Sequence, residues 1–187
     1  MKAQALCVAL LFLLLTACRS APAPPAPASL PPQPVVTSSY PNLMVQAKQL
    51  ETALANKDYA TFIDLTYPKV VEVGGGREKL LAEMTKQMRS WEAEGVVVLS
   101  ATTSVPSQYV TDANGIYAVV PLTTRIKAQE GVFQTDGSLI AISTDGGQNW
   151  TFVDATGKDQ LELKKVLPNF DKLNVPPEKP PVKVATN

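Results

Sequence analysis

The chain reads as an α+β protein: N-terminal helices packed on a curved, cone-like antiparallel β-sheet, flanked by proline-rich tails. Two observations carry that reading. Residues 56–83 run helix, kink, glycine turn, helix, whereas nearly everything after Gly95 has the period-two pattern of strands. Helices first and strands after them is an α+β order, because the sheet then needs the helical layer to cover an apolar face.

The helical part begins near Pro41. Asn42 is placed to cap a helix running to about Ala55, with Leu43, Ala47, Leu50 and Leu54 on one stripe. Asp58 caps a short segment in which Tyr59, Phe62 and Ile63 face inward, and Tyr67-Pro68 breaks it, since proline disfavours helix in the residue before it. About one more turn follows, then Gly74-Gly75-Gly76. A phosphate loop would need a preceding strand and a Gly-Lys-Ser/Thr ending, and Gly76 is followed by Arg77-Glu78-Lys79. A turn that uses the free φ of glycine is the simpler reading. The next helix, 77–94, puts Leu80 or Leu81, Met84, Met88 and Trp91 along one face, which is read as core.

The strands follow. Residues 96–103 place Val97, Leu99 and Ala101 on one side, and 112–115 form a turn. Residues 116–127 are the clearest strand. Ile116, Ala118, Val120, Leu122 and Ile126 share one face; Tyr117, Thr123, Arg125 and Lys127 share the other. Pro121 inside it requires an edge position or a bulge. Glu130-Gly131 turns the chain, 138–143 is a strand apolar on both faces, and 149–153 is the last strand, with Trp150 and Phe152 on the same side. Residues 158–167 read as a short amphipathic helix. The segment 168–187, with five prolines, is expected to be a loosely attached tail.

Composition narrows the chemistry. There are 187 residues, 17 basic against 17 acidic, and no His at all. Without His, Cys/His zinc sites and Ser-His-Asp or Cys-His catalysis are excluded by inventory. No charged run suggests nucleic acid. No metal, cofactor or catalytic set is nominated.

At the N-terminus, Lys2 precedes a ten-residue apolar core, 6–15, too short for the roughly 20 apolar residues that span a bilayer but of the size of a secretory signal. Leu15-Thr16-Ala17-Cys18 resembles the lipobox of bacterial lipoproteins. That resemblance implies cleavage before Cys18, a diacylglycerol on its sulfur and, usually, acylation of the new amine. Two or more acyl chains make a stable membrane anchor. Arg19, in place of Asp, implies the outer membrane in enteric-type bacteria. Cys7 leaves with the signal, so the mature chain keeps one cysteine and forms no internal disulfide. Residues 18–41 then form the lipidated Cys and a proline-rich tether, reaching about 70 Å if extended, and 42–167 form the folded domain.

Ser143, Asp145, Gly147 and Trp150 have the spacing called an Asp-box, a hairpin familiar from sialidase propellers. Propellers carry one copy per blade and this chain carries one copy, which identifies a structural hairpin and not a glycosidase. The order of residues 56–82 followed by 143–153 resembles the nuclear transport factor two-like superfamily, over about residues 43–154. The resemblance implies a bent sheet closed by helices into a cone with an open mouth. No catalytic pattern of its polyketide-cyclase, ketosteroid-isomerase or dehydratase members matches, so none is carried over.

Two functions follow as expectations. The first is a non-enzymatic envelope lipoprotein, a module that binds a small apolar ligand or an envelope protein or serves as a scaffold in an envelope complex, with Tyr59, Ile63, Asp64, Tyr67, Trp91, Tyr117 and Arg125 around the pocket. The second is an isomerase, hydrolase or cyclase using Asp64, Tyr67, Glu72 and Arg125.

Overall fold

The computed structural model describes residues 40–167 and 170–185. The expected signal, Cys18 and the expected tether as far as residue 39 lie outside the described residues; the tether's last expected residue, Pro41, belongs to α1. The elements are α1 (Pro41–Ala55), α2 (Tyr59–Asp64), α3 (Pro68–Val73), α4 (Arg77–Ala93), β1 (Val97–Thr103), β2 (Gln108–Asp112), β3 (Gly115–Ala128), β4 (Gly131–Ser143), β5 (Thr151–Asp154), α5 (Gln160–Val166), a single 3-10 turn (Phe170–Lys172) and β6 (Val182–Val184). The class is α+β, with helices packed on a curved antiparallel sheet.

β3 and β4 form the middle of the sheet, paired from Ile116↔Ser143 to Ala128↔Gly131 across a two-residue turn at Gln129-Glu130. The outer edge of β3 is shared by two strands: β2 pairs with its first half and β1 with its second. The outer edge of β4 is shared in the same way by β5 and β6. This division explains Pro121, which sits in a central strand with neither bulge nor edge. Its carbonyl accepts from Ser104 N at 3.0 Å on the β1/β2 side, so its ring nitrogen points to the same side, where the chain passes from β1 to β2. Pro121 has no ladder bond to lose there.

Side-chain alternation sends Ile116, Ala118, Val120 and Leu122 to one face, under Leu43, Ala47 and Leu50 of α1 and beside Leu139, Ala141, Trp150 and Phe152. Tyr117, Val119, Ile140, Ile142 and Val153 go to the other face, under Leu163, Val166, Leu167, Phe170 and Leu173. Both faces are therefore covered, and burying each large aliphatic side chain contributes about 1.5–3 kcal/mol. The polar face expected for β3 exists only in its second half, where Arg125 and Lys127 are exposed.

Several expectations need correction. Pro41, not Asn42, opens α1, as proline is suited to the first helical position. The Asn42 amide instead donates to Gln148 O at 3.1 Å. A bulge between Val98 and Ser100 turns Leu99 out to solvent. β2, β6 and the first half of β4 were not anticipated. The segment after Leu167 is not loosely attached: Phe170 and Leu173 are buried and β6 pairs with β4. The largest correction concerns α4. It has no buried residue, and Trp91 is 36% exposed rather than core.

Candidate functional site: an apolar groove under a helix

A groove of about 620 Å³ opens between α4 and α5, at the end of the sheet where β5 meets the helices. Its floor is Leu139, Phe152 and Val153 with Leu50 and Ile63. The α2–α3 connection is fixed to this floor by backbone bonds: Phe152 N donates to Leu65 O at 2.8 Å and Tyr67 N to Phe152 O at 2.9 Å. That strand-like pairing caps the edge of β5 and brings Phe62, Thr66, Val70 and Val73 into the wall.

The opposing walls are two helical stripes. α4 presents Leu80, Glu83, Met84 and Gln87, spaced i, i+3, i+4, i+7. α5 presents Glu162, Leu163, Lys165 and Val166, with Lys158 and Asp154 at its near end. The interior is apolar and the charges lie at the rim, the usual constitution of a small-molecule site.

Of the residues expected around a pocket, Ile63 alone lines this groove. Tyr67 packs beside Val70 against the cluster under α5, although its amide anchors the groove. Tyr59 points to a narrow crevice beside Leu54, Met88 and Val97. Tyr117 is buried on the α5 face of the sheet. Trp91, 36% exposed, is not among the groove's residues. Arg125 is exposed, and its Nε donates to Gln134 Oε1 at 3.3 Å. Asp64 is exposed and bound by Arg77, Nε to Oδ1 at 2.6 Å and Nη2 to Oδ2 at 2.9 Å. Those Arg77 hydrogen bonds hold its carboxyl below the usual range. Glu72 pairs with Lys69 at 2.9 Å. The set Asp64, Tyr67, Glu72 and Arg125 is thus not gathered at one place.

The groove residues that sequence reasoning missed left one signal. Glu83 and Gln87 interrupt the Leu80/Met84 stripe of α4, and a stripe carrying a carboxylate and an amide suits a rim better than a core.

A second constellation is structural. Ser143 Oγ donates to Asp145 Oδ1 at 2.8 Å and accepts from Gly147 N at 2.9 Å. The Asp145 carboxylate also accepts from Gln148 N and from the Asn149 backbone and side chain. These bonds, those of the Asn149 backbone first, lower its pKa to about 2. Trp150 lies beneath the turn, 1% exposed, with Nε1 donating to Gly147 O at 3.0 Å. Gln46 of α1 grips the same hairpin twice, donating to Gln148 O at 3.0 Å and accepting from Trp150 N at 2.7 Å. The Asp145 oxygens are thus committed to the turn.

No helix among the described residues is long and apolar enough to cross a membrane. No family model, no curated protein and no solved structure matches the chain.

Proposed function

We propose that this chain is a lipid-anchored envelope protein whose domain binds a small apolar ligand in the groove between α4 and α5. The observation that supports this best is the groove itself: an apolar floor at the end of the sheet, walled by a helix that buries none of its own residues. A helix so placed covers a space that other side chains do not fill. The anchor rests on Leu15-Thr16-Ala17-Cys18 behind a short apolar core, and the outer membrane is proposed from Arg19. Helices preceding a curved antiparallel sheet agree with a nuclear transport factor two-like relationship. The layer formed by α5 and the 3-10 turn on the second face is an addition to that plan.

The test uses the chain from residue 19 onward, without lipid, and N-phenyl-1-naphthylamine as apolar probe. The probe should bind and raise the melting temperature, since a ligand selective for the folded state stabilises it by about 2.7 kcal/mol at 100 times its Kd. Ile63→Trp should fill the groove and abolish binding at little cost in stability. A wild type that binds no probe would sink the reading. The anchor is checked separately: labelled fatty acid should enter the wild type and not Cys18→Ser.

A further inference from the structure

We infer that α4 is a hinged lid along one side of the groove, held in place by one exposed ion pair at each end and swung outward to admit the apolar ligand; this rests on the binding function just proposed. Three independent features of α4 converge on it.

The first is its burial. All 17 residues of α4 are half-buried or exposed. Its main neighbours are α2 and α3, not the core of the sheet. Elements with few buried apolar contacts open at a small fraction of the global unfolding free energy.

The second is its attachment. At the N-terminal end, Gly75 and Gly76 have φ of 91° and 98°, values that L side chains rarely adopt. At the other end Gly95 has φ of 78°. Glycines on both flanks permit the backbone rotation that a rigid-body swing of the helix requires.

The third is the latching. Arg77, the first residue of α4, grips Asp64 at the end of α2 through two bonds, and Glu92 in its last turn accepts from Lys57 Nζ at 2.6 Å. Both pairs bridge to the body of the domain, and all four side chains are well exposed. Such pairs are weak and salt-sensitive. The stripe that swings away carries Leu80, Glu83, Met84 and Gln87, which is one whole wall of the groove.

Amide hydrogen exchange and stopped-flow binding of N-phenyl-1-naphthylamine, on the chain from residue 19 onward, test this. In the double variant Arg77→Gln/Glu92→Gln, exchange across 77–93 should quicken by about twofold to thirtyfold, the span for losing two exposed pairs. Exchange in β3 and β4 should not change, and probe association should quicken by a similar factor. Raising salt to about 1 M, where screening reaches roughly 3 Å, should produce the same change in the wild type. Lys69→Gln, which removes an exposed pair within α3, should do neither. Exchange of α4 only in step with β3 and β4 overturns the lid while leaving probe binding intact. Faster exchange without faster association overturns the gating. Absence of probe binding in the wild type removes the binding function itself, and the lid's role with it.

Discussion

The Glu51 carboxylate on α1 accepts two hydrogen bonds from Thr103 at the end of β1, one from its amide and one from its hydroxyl at 2.6 Å. It is a buried acid, 6% exposed, and Lys48 Nζ closes over its other oxygen at 2.7 Å. The two elements are thereby tied at the rim of the α1 core.

Burial is the largest influence on Glu51 and works to raise its pKa, but the bonds from Lys48 and Thr103 together outweigh it and hold the carboxyl below its ordinary 4.5. A folded pKa below the unfolded one means the contribution is complete above about pH 4.5 and lost as pH falls below it. Glu51→Ala should cost about 1.5–3 kcal/mol at pH 7, the range for bonds to a charged group. Glu51→Gln should cost less and flatten the acid limb. Urea titrations from pH 7 to 3 check both; a Gln variant with the wild-type acid limb would exclude Glu51 as its source.

Asp145 should govern a lower window. Its pKa falls from 3.8 to about 2 on folding, so its contribution is present above pH 3.8 and lost as pH approaches 2. In a Trp91→Phe background, Trp150 fluorescence reports the hairpin alone. Its midpoint should lie between those values, and Asp145→Asn should remove that transition.

The hairpin should be structural in the strict sense. Trp150→Ala should cost about 3–5 kcal/mol, as expected for a large buried aromatic. Gly147→Ala should cost about 1–3 kcal/mol from backbone strain at its φ of 92°. Its new Cβ would also run into the Tyr40 ring. Thermal unfolding measures both, and a near-neutral Gly147→Ala would mean the turn relaxes.

The C-terminal segment should carry stability. Phe170→Ala should cost about 3–5 kcal/mol, because the ring sits in the core on the second face. Limited proteolysis should spare the segment through β6 in the wild type and release it in the variant. Prompt removal of 170–185 from the wild type would contradict the burial of Phe170 and Leu173 and the pairing of β6.

Much of this architecture was legible in the chain. The breaks at Tyr67-Pro68 and Gly74–Gly76, the long strand β3, and the pairing of Trp150 with Phe152 on one side follow from local stereochemistry and period. What was not legible depended on partners distant in sequence. The α4 stripe shows an apolar side, but periodicity does not say how deep that side is buried, and here it lines a groove. The bulge at Val98–Ser100 shifts Leu99 outward because of its register against β3. β6 is three residues long and finds its place only through β4. The groove itself was barely visible: of the seven residues expected around a pocket only Ile63 belongs to it, whereas Phe152, Leu163 and Val166 arrive from elements about a hundred residues away.

Two of the ties of α1, Glu51 to Thr103 and Gln46 to Trp150, span 52 and 104 positions. β3 and β4 are joined by two residues, so their pairing closes almost no loop and can form early, whereas the docking of α1 must wait for β1 and β5. The first helix of the described residues thus docks only after most of the sheet has been made. Until Trp150 and Phe152 emerge, the Leu43, Ala47 and Leu50 stripe has only the part of its cover that β3 and β4 supply, and a nascent chain carries it partly open. φ-values near zero at Leu43 and Ala47, with higher values at Val120 and Leu139, would be the kinetic signature of that order. The reverse ranking would show that α1 nucleates the sheet instead.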